Sequence, residues 1–313
     1  MLQKIVFSRI TKLFLSLVLI YLAFRKVNIQ SLVLEISTVP WWFILAMMVY
    51  FFISMFINST RWSLLVIDKP RINDFFEFTK ATYLGAFYGL FLPSTVGGDL
   101  MKWLPLLKKY PNLSKTKLLG SILLDRVIGF SAFVIMGLVS LLLGKYFGYV
   151  FPDMLMWLFS LLALGIISFY ILVFTFDFEK IFSKYHFLTS FLEIVTLLRH
   201  ENKKRIFICF MISIFVEPIW VLPFWFYSLL FSVGLNFIQV FIFVPVIALI
   251  LVLPISIAGF GARENLFLFF LKPLGFVDEK ILLMSTVAGI FIILTNLCGS
   301  LFLLLPDKIK EKK

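Results

Sequence analysis

Long apolar runs separated by short polar breaks dominate the chain. Continuous runs near 8–24, 41–59, 118–143, 154–176, 206–231 and 280–305 each approach the ~20 residues that a helix needs to cross hydrocarbon. They are unbroken rather than alternating, which excludes membrane barrel strands. Two further runs, 75–107 and 238–272, are apolar but interrupted. The first holds Leu92-Pro93-Ser94-Thr95-Val96-Gly97-Gly98-Asp99, with Lys102 just after it. The second holds Leu253-Pro254-Ile255-Ser256-Ile257-Ala258-Gly259-Phe260-Gly261-Ala262-Arg263-Glu264. A helix broken inside a bilayer leaves peptide groups that only protein or trapped water can satisfy. Pro93, Gly97, Gly98, Pro254, Gly259 and Gly261 are the expected backbone breaks. Paired breaks in the two halves of a membrane chain point to a transport site.

The charges set an orientation. Basic residues collect around Lys4, Arg9 and Lys12, in the segment with Arg61, Lys69 and Arg71, along 177–205, and in the tail from Lys308. The segments 144–153 and 232–238 are nearly free of them. The positive-inside rule then puts both termini in the cytoplasm of a multi-pass protein in the cell (inner) membrane. Arg25-Lys26 is the exception, at a helix end from which long basic chains reach the interface. If 75–92 crossed fully, Lys102, Lys108, Lys109, Lys115 and Lys117 would fall outside. A re-entrant hairpin at 75–107 returns them to the inside, and similar reasoning makes 238–272 a hairpin entering from the outside. The expectation is an all-α polytopic membrane protein. It has about six full spans and two oppositely oriented re-entrant hairpins related as inverted repeats. Residues 1–313 form a single membrane domain, and 177–205 is a cytoplasmic loop of amphipathic character.

Composition narrows the function. The 313 residues are 61% hydrophobic, with mean hydropathy +1.03 and formal net charge +12. The basic excess matches cytoplasmic loops and anionic headgroups; no basic soluble domain exists to hold nucleic acid. The two cysteines, Cys209 and Cys298, fall in predicted helices, and His186 and His200 lack ligand spacing. Neither a metal nor an organic cofactor is expected. There is no phosphate-binding loop, dinucleotide fingerprint, nucleophile elbow or zinc helix.

Charges within apolar runs mark the candidate chemistry, because intramembrane charge is costly and usually faces a cavity or a partner. Asp99 follows two glycines that let a backbone approach a ligand, with Lys102 one turn on. Asp125-Arg126 lies inside a span and reads equally as a structural ion pair or a substrate contact. Glu217 stands directly before Pro218, either as a proton carrier or as a neutral acid bonded to freed carbonyls. Arg263-Glu264 is the strongest pair, since arginine binds phosphate or carboxylate bidentately and stays charged when buried.

Three ordered motifs carry a resemblance: Leu92-Pro93 with Gly97-Gly98-Asp99 and Lys102; Asp125-Arg126-Val127-Ile128-Gly129; and Pro254 through Gly261-Ala262-Arg263-Glu264. With them the chain resembles the flippase-like membrane domain of lysylphosphatidylglycerol synthases over nearly its whole length. That domain also occurs free-standing, and fused or linked to some archaeal glycosyltransferases. The resemblance implies re-entrant segments and movement of an amphipathic lipid between leaflets, with Asp99, Arg263 and Glu264 at motif positions and Glu217 similar to a later acidic one. The aminoacyl-transferase domain of the bifunctional members is not found in these residues, so lysyl-lipid synthesis is not implied.

The reading is therefore a lipid flippase or transporter without ATP hydrolysis, not an enzyme, acting on a phospholipid or polyprenyl-phosphate-linked lipid. The rivals are a membrane-embedded transferase on a lipid-linked substrate and an accessory scaffold of a glycosyltransferase or lipid synthase. Partners are the lipid itself and such an enzyme. A homodimer is compatible with the sequence.

Overall fold

A computed structural model describes residues 36–91, 98, 101–176, 203–252 and 259–303, together with Tyr21, Gln30 and Leu34. These residues form helices and no strand. In order they are α1 (Trp41–Val66), α2 (Ile72–Phe91), α3 (Trp103–Lys109), α4 (Lys115–Tyr146), α5 (Asp153–Thr175), α6 (Lys203–Leu230), α7 (Phe237–Leu251), α8 (Ala262–Leu271) and α9 (Asp278–Leu297). A 3-10 extension carries α9 on to Leu303.

Helices α1, α4, α5, α6 and α9 with its extension are long and apolar enough to cross a membrane. They match five of the six expected spans. The sixth, near 8–24, lies outside the described residues apart from Tyr21, as does most of the loop 177–205. Large apolar side chains point outward, with Trp157 78% and Phe215 73% exposed. That surface suits lipid as solvent. Helix α5 is attached mainly through α4, where Phe159 fills a notch at Gly137; a Cβ there would lie 2.1 Å from the Phe159 ring.

Helix α1 runs further than its apolar run predicted. The run ends at 59, where Ser59, Thr60 and Arg61 read as the start of a basic loop. The helix instead continues to Val66 and buries Arg61, because partners satisfy each polar group. Ser59 and Thr79 share a 2.5 Å hydrogen bond. The indole of Trp62 donates to Ser121 at 3.0 Å.

Helices α1 and α6 run antiparallel. From one end to the other, Asp68 bonds Arg205, Arg61 meets Ser213, Tyr50 meets Ile219, and Phe43 meets Tyr227. Proline does not break α6 or α7. Pro223 lacks the N–H that would bond Ile219, and the Tyr50 hydroxyl donates to that carbonyl at 2.5 Å. Pro245 likewise leaves Phe241 unpaired, and the Ser140 hydroxyl lies 3.0 Å from its oxygen.

Both interrupted segments reverse direction. Along the first, Tyr110 donates to Asp74 at 2.5 Å, and Lys109 pairs with Glu77 at 3.0 Å. Further in, the Lys102 stem lies on Gly85, and Gly98 sits on Gly85 and Gly89. A Cβ at Gly98 would come within 2.5 Å of the Gly85 carbonyl and 2.6 Å of Gly89 Cα. Only glycines permit that approach. Burial and the Asp74 carboxylate push the Tyr110 hydroxyl well above its ordinary range, which keeps it a donor. In the second segment α8 returns along α7, with Phe243 and Phe270 6.3 Å apart. Gly259 and Gly261 take φ of 79° and 76°, a region that side chains disfavour.

The two hairpins open from opposite ends of the bundle. The first starts and finishes beside the Asp68–Arg205 pair. The second starts and finishes beside Ser232, whose carbonyl accepts from Lys280 at 2.9 Å. Helix α6 connects the two ends.

Candidate functional site

Arg61 organises the larger polar cluster. It is 4% exposed and its Nε and Nη2 donate to Asp125 Oδ1 and Oδ2 at 2.7 and 3.1 Å. This is the side-on bidentate geometry that suits guanidinium and carboxylate. Nη1 donates to Ser213 at 2.9 Å and lies 4.0 Å from Glu217 Oε1. Room for the guanidinium comes from Gly129 of α4, where a Cβ would stand 3.1 Å from Nη1 and Nη2. Two carboxylates thus share one arginine where α1, α4 and α6 meet. The Asp125 and Glu217 side chains keep 14% and 16% exposure against 5% for Arg61, so the carboxylates are the less buried side of the cluster. Lys102 comes near from the first hairpin, over Trp62 at 5.9 Å and within electrostatic reach of Asp125 and Arg61.

Asp125 therefore takes its partner from α1 rather than from its neighbour in sequence. Arg126 is exposed on another face of α4. Arg61, assigned above to a cytoplasmic loop, is the residue that sequence reasoning missed. A usable signal existed in α6, where Cys209, Ser213 and Glu217 fall at intervals of four and form one polar stripe in an apolar helix. Cys209 itself contacts the Arg61 carbonyl at 3.6 Å. Glu217 belongs to this stripe, with its Oε1 4.0 Å from Arg61 Nη1.

The second cluster stands at the start of α8. Arg263 and Glu264 are 3% and 1% exposed. Glu264 Oε2 accepts the Gly261 N–H at 2.7 Å, fixing the entry to the helix. Its Oε1 lies 3.5 Å from Arg263 Nε, an ion pair at the outer limit of hydrogen-bond distance. Arg263 Cζ stacks 5.2 Å from the Phe260 ring and the guanidinium presses on Gly289 of α9, where a Cβ would fall 2.1 Å from Nη2. Arg263 Nε and Nη2, Glu264 Oε1 and the Tyr227 hydroxyl are buried without hydrogen-bond partners. Each such group costs ~1–3 kcal/mol. Asp99, Pro93, Gly97 and Pro254 lie outside the described residues. No group of three or more metal-ligating side chains occurs among the described residues.

The family model for the lysylphosphatidylglycerol synthase TM region matches residues 9–299. The chain belongs to this family. The match spans both hairpins and both charge clusters, and it agrees with a membrane domain whose work concerns lipid. No curated protein and no solved structure matches the chain.

Proposed function

We propose that this member of the lysylphosphatidylglycerol synthase TM family moves an amphipathic, phosphate-bearing lipid between leaflets without ATP hydrolysis. One observation carries the reading. Two broken hairpins open from opposite ends of one bundle, and each half buries an arginine against a glycine of its closing span. Arg61 lies on Gly129, and Arg263 on Gly289. A translocator needs half-sites that face opposite sides, and repeats of opposite orientation provide them. In this reading the two units, α1 to α4 and α6 to α9, are inverted repeats, and the hairpins are re-entrant. The end bearing Asp68 and Arg205 is cytoplasmic, since Lys69, Arg71, Lys108, Lys109, Lys115 and Lys117 gather there.

A headgroup entering from that end passes Lys102 and meets the less buried side of the Arg61 cluster. Asp125 and Glu217 take a cationic or hydroxyl-rich group, while Arg61 draws the phosphate. Asp99, Arg126 and Glu264 complete the expected contact set. Acyl tails stay in hydrocarbon alongside α5 and the outer face of α6. The chemistry required is binding and release; no bond is made or broken.

The test is leaflet exchange of tail-labelled phosphatidylglycerol in phosphatidylcholine vesicles, read by quenching from outside. The wild type accelerates exchange without nucleotide. Glu217→Gln and Arg61→Gln slow it about tenfold or more, a barrier higher by ~1.4 kcal/mol or more. Asp68→Asn, at the exposed end pair, leaves it unchanged. Exchange no faster than in protein-free vesicles overturns the reading, as does a lipid product of altered mass.

A further inference from the structure

One arginine faces two carboxylates in the larger cluster, an imbalance that an entering anion would deepen. Asp125 holds Arg61 Nε and Nη2 with both of its oxygens. Glu217 is the carboxylate left over. Its Oε1 stands 4.0 Å from Nη1, too far for a hydrogen bond, and it makes none among the described residues. Ser213, one turn earlier, cannot satisfy it, because that hydroxyl accepts from Nη1 and gives its own proton to the Cys209 carbonyl. Other cations do not restore the balance. Lys102 on the first hairpin acts on Asp125 and Arg61, and Arg126 is exposed on another face of α4. Neither reaches Glu217, whose charged neighbours are Arg61 and Asp125. Among the other helices packed on α6, α7 has no titratable side chain. The α9 charges Asp278, Glu279 and Lys280 sit at its start, at the Ser232 end, and α8 pairs Arg263 with Glu264.

A phosphate drawn to Arg61 therefore meets Glu217 at the N–H groups that Asp125 and Ser213 leave. Two anions at that edge repel at close range, and more strongly in a buried site than in water. A protonated Glu217 does not repel, and its O–H becomes a donor to a phosphate oxygen. We propose that the proton is a second cargo: Glu217 takes one from solution as an anionic headgroup binds Arg61, and returns it to solution when the headgroup leaves. A phosphodiester keeps its charge at neutral pH, so the proton goes to the protein and not to the lipid. In the transport reading, on which this coupling rests, lipid and proton cross as a neutral pair, driven by a pH difference and not by membrane voltage.

A pH-indicator dye reads the proton when phosphatidylglycerol is added to the full chain in weakly buffered detergent, where no leaflets exist. About one proton is taken up per bound lipid, and none on adding diacylglycerol, which lacks the phosphate. The bound state holds the extra proton, so affinity falls as pH rises, about tenfold per unit over the range in which unliganded Glu217 is ionised. Glu217→Gln keeps a neutral donor at that place. It takes up no proton, loses the pH dependence and, at high pH, binds phosphatidylglycerol at least as tightly as the wild type. Held in that state it also releases lipid slowly, in line with its slowed exchange. A merely structural Glu217 would weaken binding in that variant at every pH. Proton uptake that persists in Glu217→Gln overturns the coupling. So does its absence from the wild type while phosphatidylglycerol binds, a result that needs no variant to fold. In vesicles, an imposed pH difference gathers phosphatidylglycerol in the leaflet facing the alkaline side, faster than in protein-free vesicles. Wild-type vesicles that show no leaflet exchange sink the transport reading, whereas exchange without proton uptake sinks the coupling alone.

Discussion

Arg61 shows what a single residue's neighbours decide. By sequence it closes an apolar run and opens a basic segment; in the fold it donates three hydrogen bonds, two to Asp125 and one to Ser213. Its partners come from 64 and 152 positions away, a separation that periodicity within one helix does not reveal. The carboxylates were legible as charges in apolar runs, but their pairing was not. Removing one member of a buried pair strands the other, so Asp125→Ala lowers stability by about 3 kcal/mol in chemical unfolding of the detergent-solubilised protein. Glu217, 4.0 Å from Arg61, then becomes the remaining carboxylate in contact. Adding Glu217→Gln to Asp125→Ala consequently costs more than Glu217→Gln alone, a non-additivity that a double-mutant cycle measures. Additive losses would mean that Glu217 does not sense Arg61. Tyr50→Phe is milder. It leaves the Ile219 carbonyl, already deprived of a partner by Pro223, without its donor, at a cost of about 1 kcal/mol in the same unfolding experiment.

At the scale of an element, proline and glycine spelled out where the chain breaks but not how it closes. The run Leu92 to Gly98 announces an interruption, and the lysines after it favoured a reversal. The register that makes the reversal is written elsewhere, in the spacing of Gly85 and Gly89 on α2, which places a groove opposite Gly98. That spacing reads as ordinary composition until the returning strand of chain is known. The second break was more legible, since Gly259 and Gly261 both adopt the positive φ that glycine favours. The length of α1 was underestimated, because serine, threonine and arginine look like a boundary when their cross-helix partners are unknown. Gly98→Val tests the hairpin closure. A branched side chain cannot sit within 2.5 Å of the Gly85 carbonyl, so the two arms part. Cysteines replacing Glu77 and Lys109, whose side chains pair at 3.0 Å, are joined in the parent chain by a bifunctional thiol reagent as long as the two lost side chains. With Gly98→Val the yield falls several-fold while the protein still folds around α4, α6, α7 and α9. An undiminished yield would show that α2 and its return are held by their outer ends alone.

For the whole molecule the deciding quantity is which end of the bundle each loop occupies. The positive-inside count needs only the sequence; the contacts say which loops share an end of the bundle, not which side of a membrane that end faces. Asp68 meets Arg205, Asp74 meets Tyr110, and Glu77 meets Lys109 at one end. Lys280 meets Ser232 and Lys272 meets Asp278 at the other. Helices α1, α4, α6 and α9 run between these ends, whereas α2 with α3 and α7 with α8 each return to the end they left. Single cysteines in sealed vesicles of known orientation separate this arrangement from a chain of full crossings. The background is Cys209→Ser with Cys298→Ser, and the probe is a membrane-impermeant maleimide. Arg71→Cys and Lys109→Cys, on either side of the first hairpin, react from the same face. Lys145→Cys and Glu279→Cys react from the opposite one. Had the apolar run 75–107 crossed the bilayer, Arg71→Cys and Lys109→Cys would label from different faces, and the half-sites at Arg61 and Arg263 would no longer open to opposite sides. Shared labelling of the first two positions, reversed for the second two, keeps both half-sites and gives each leaflet its own entry.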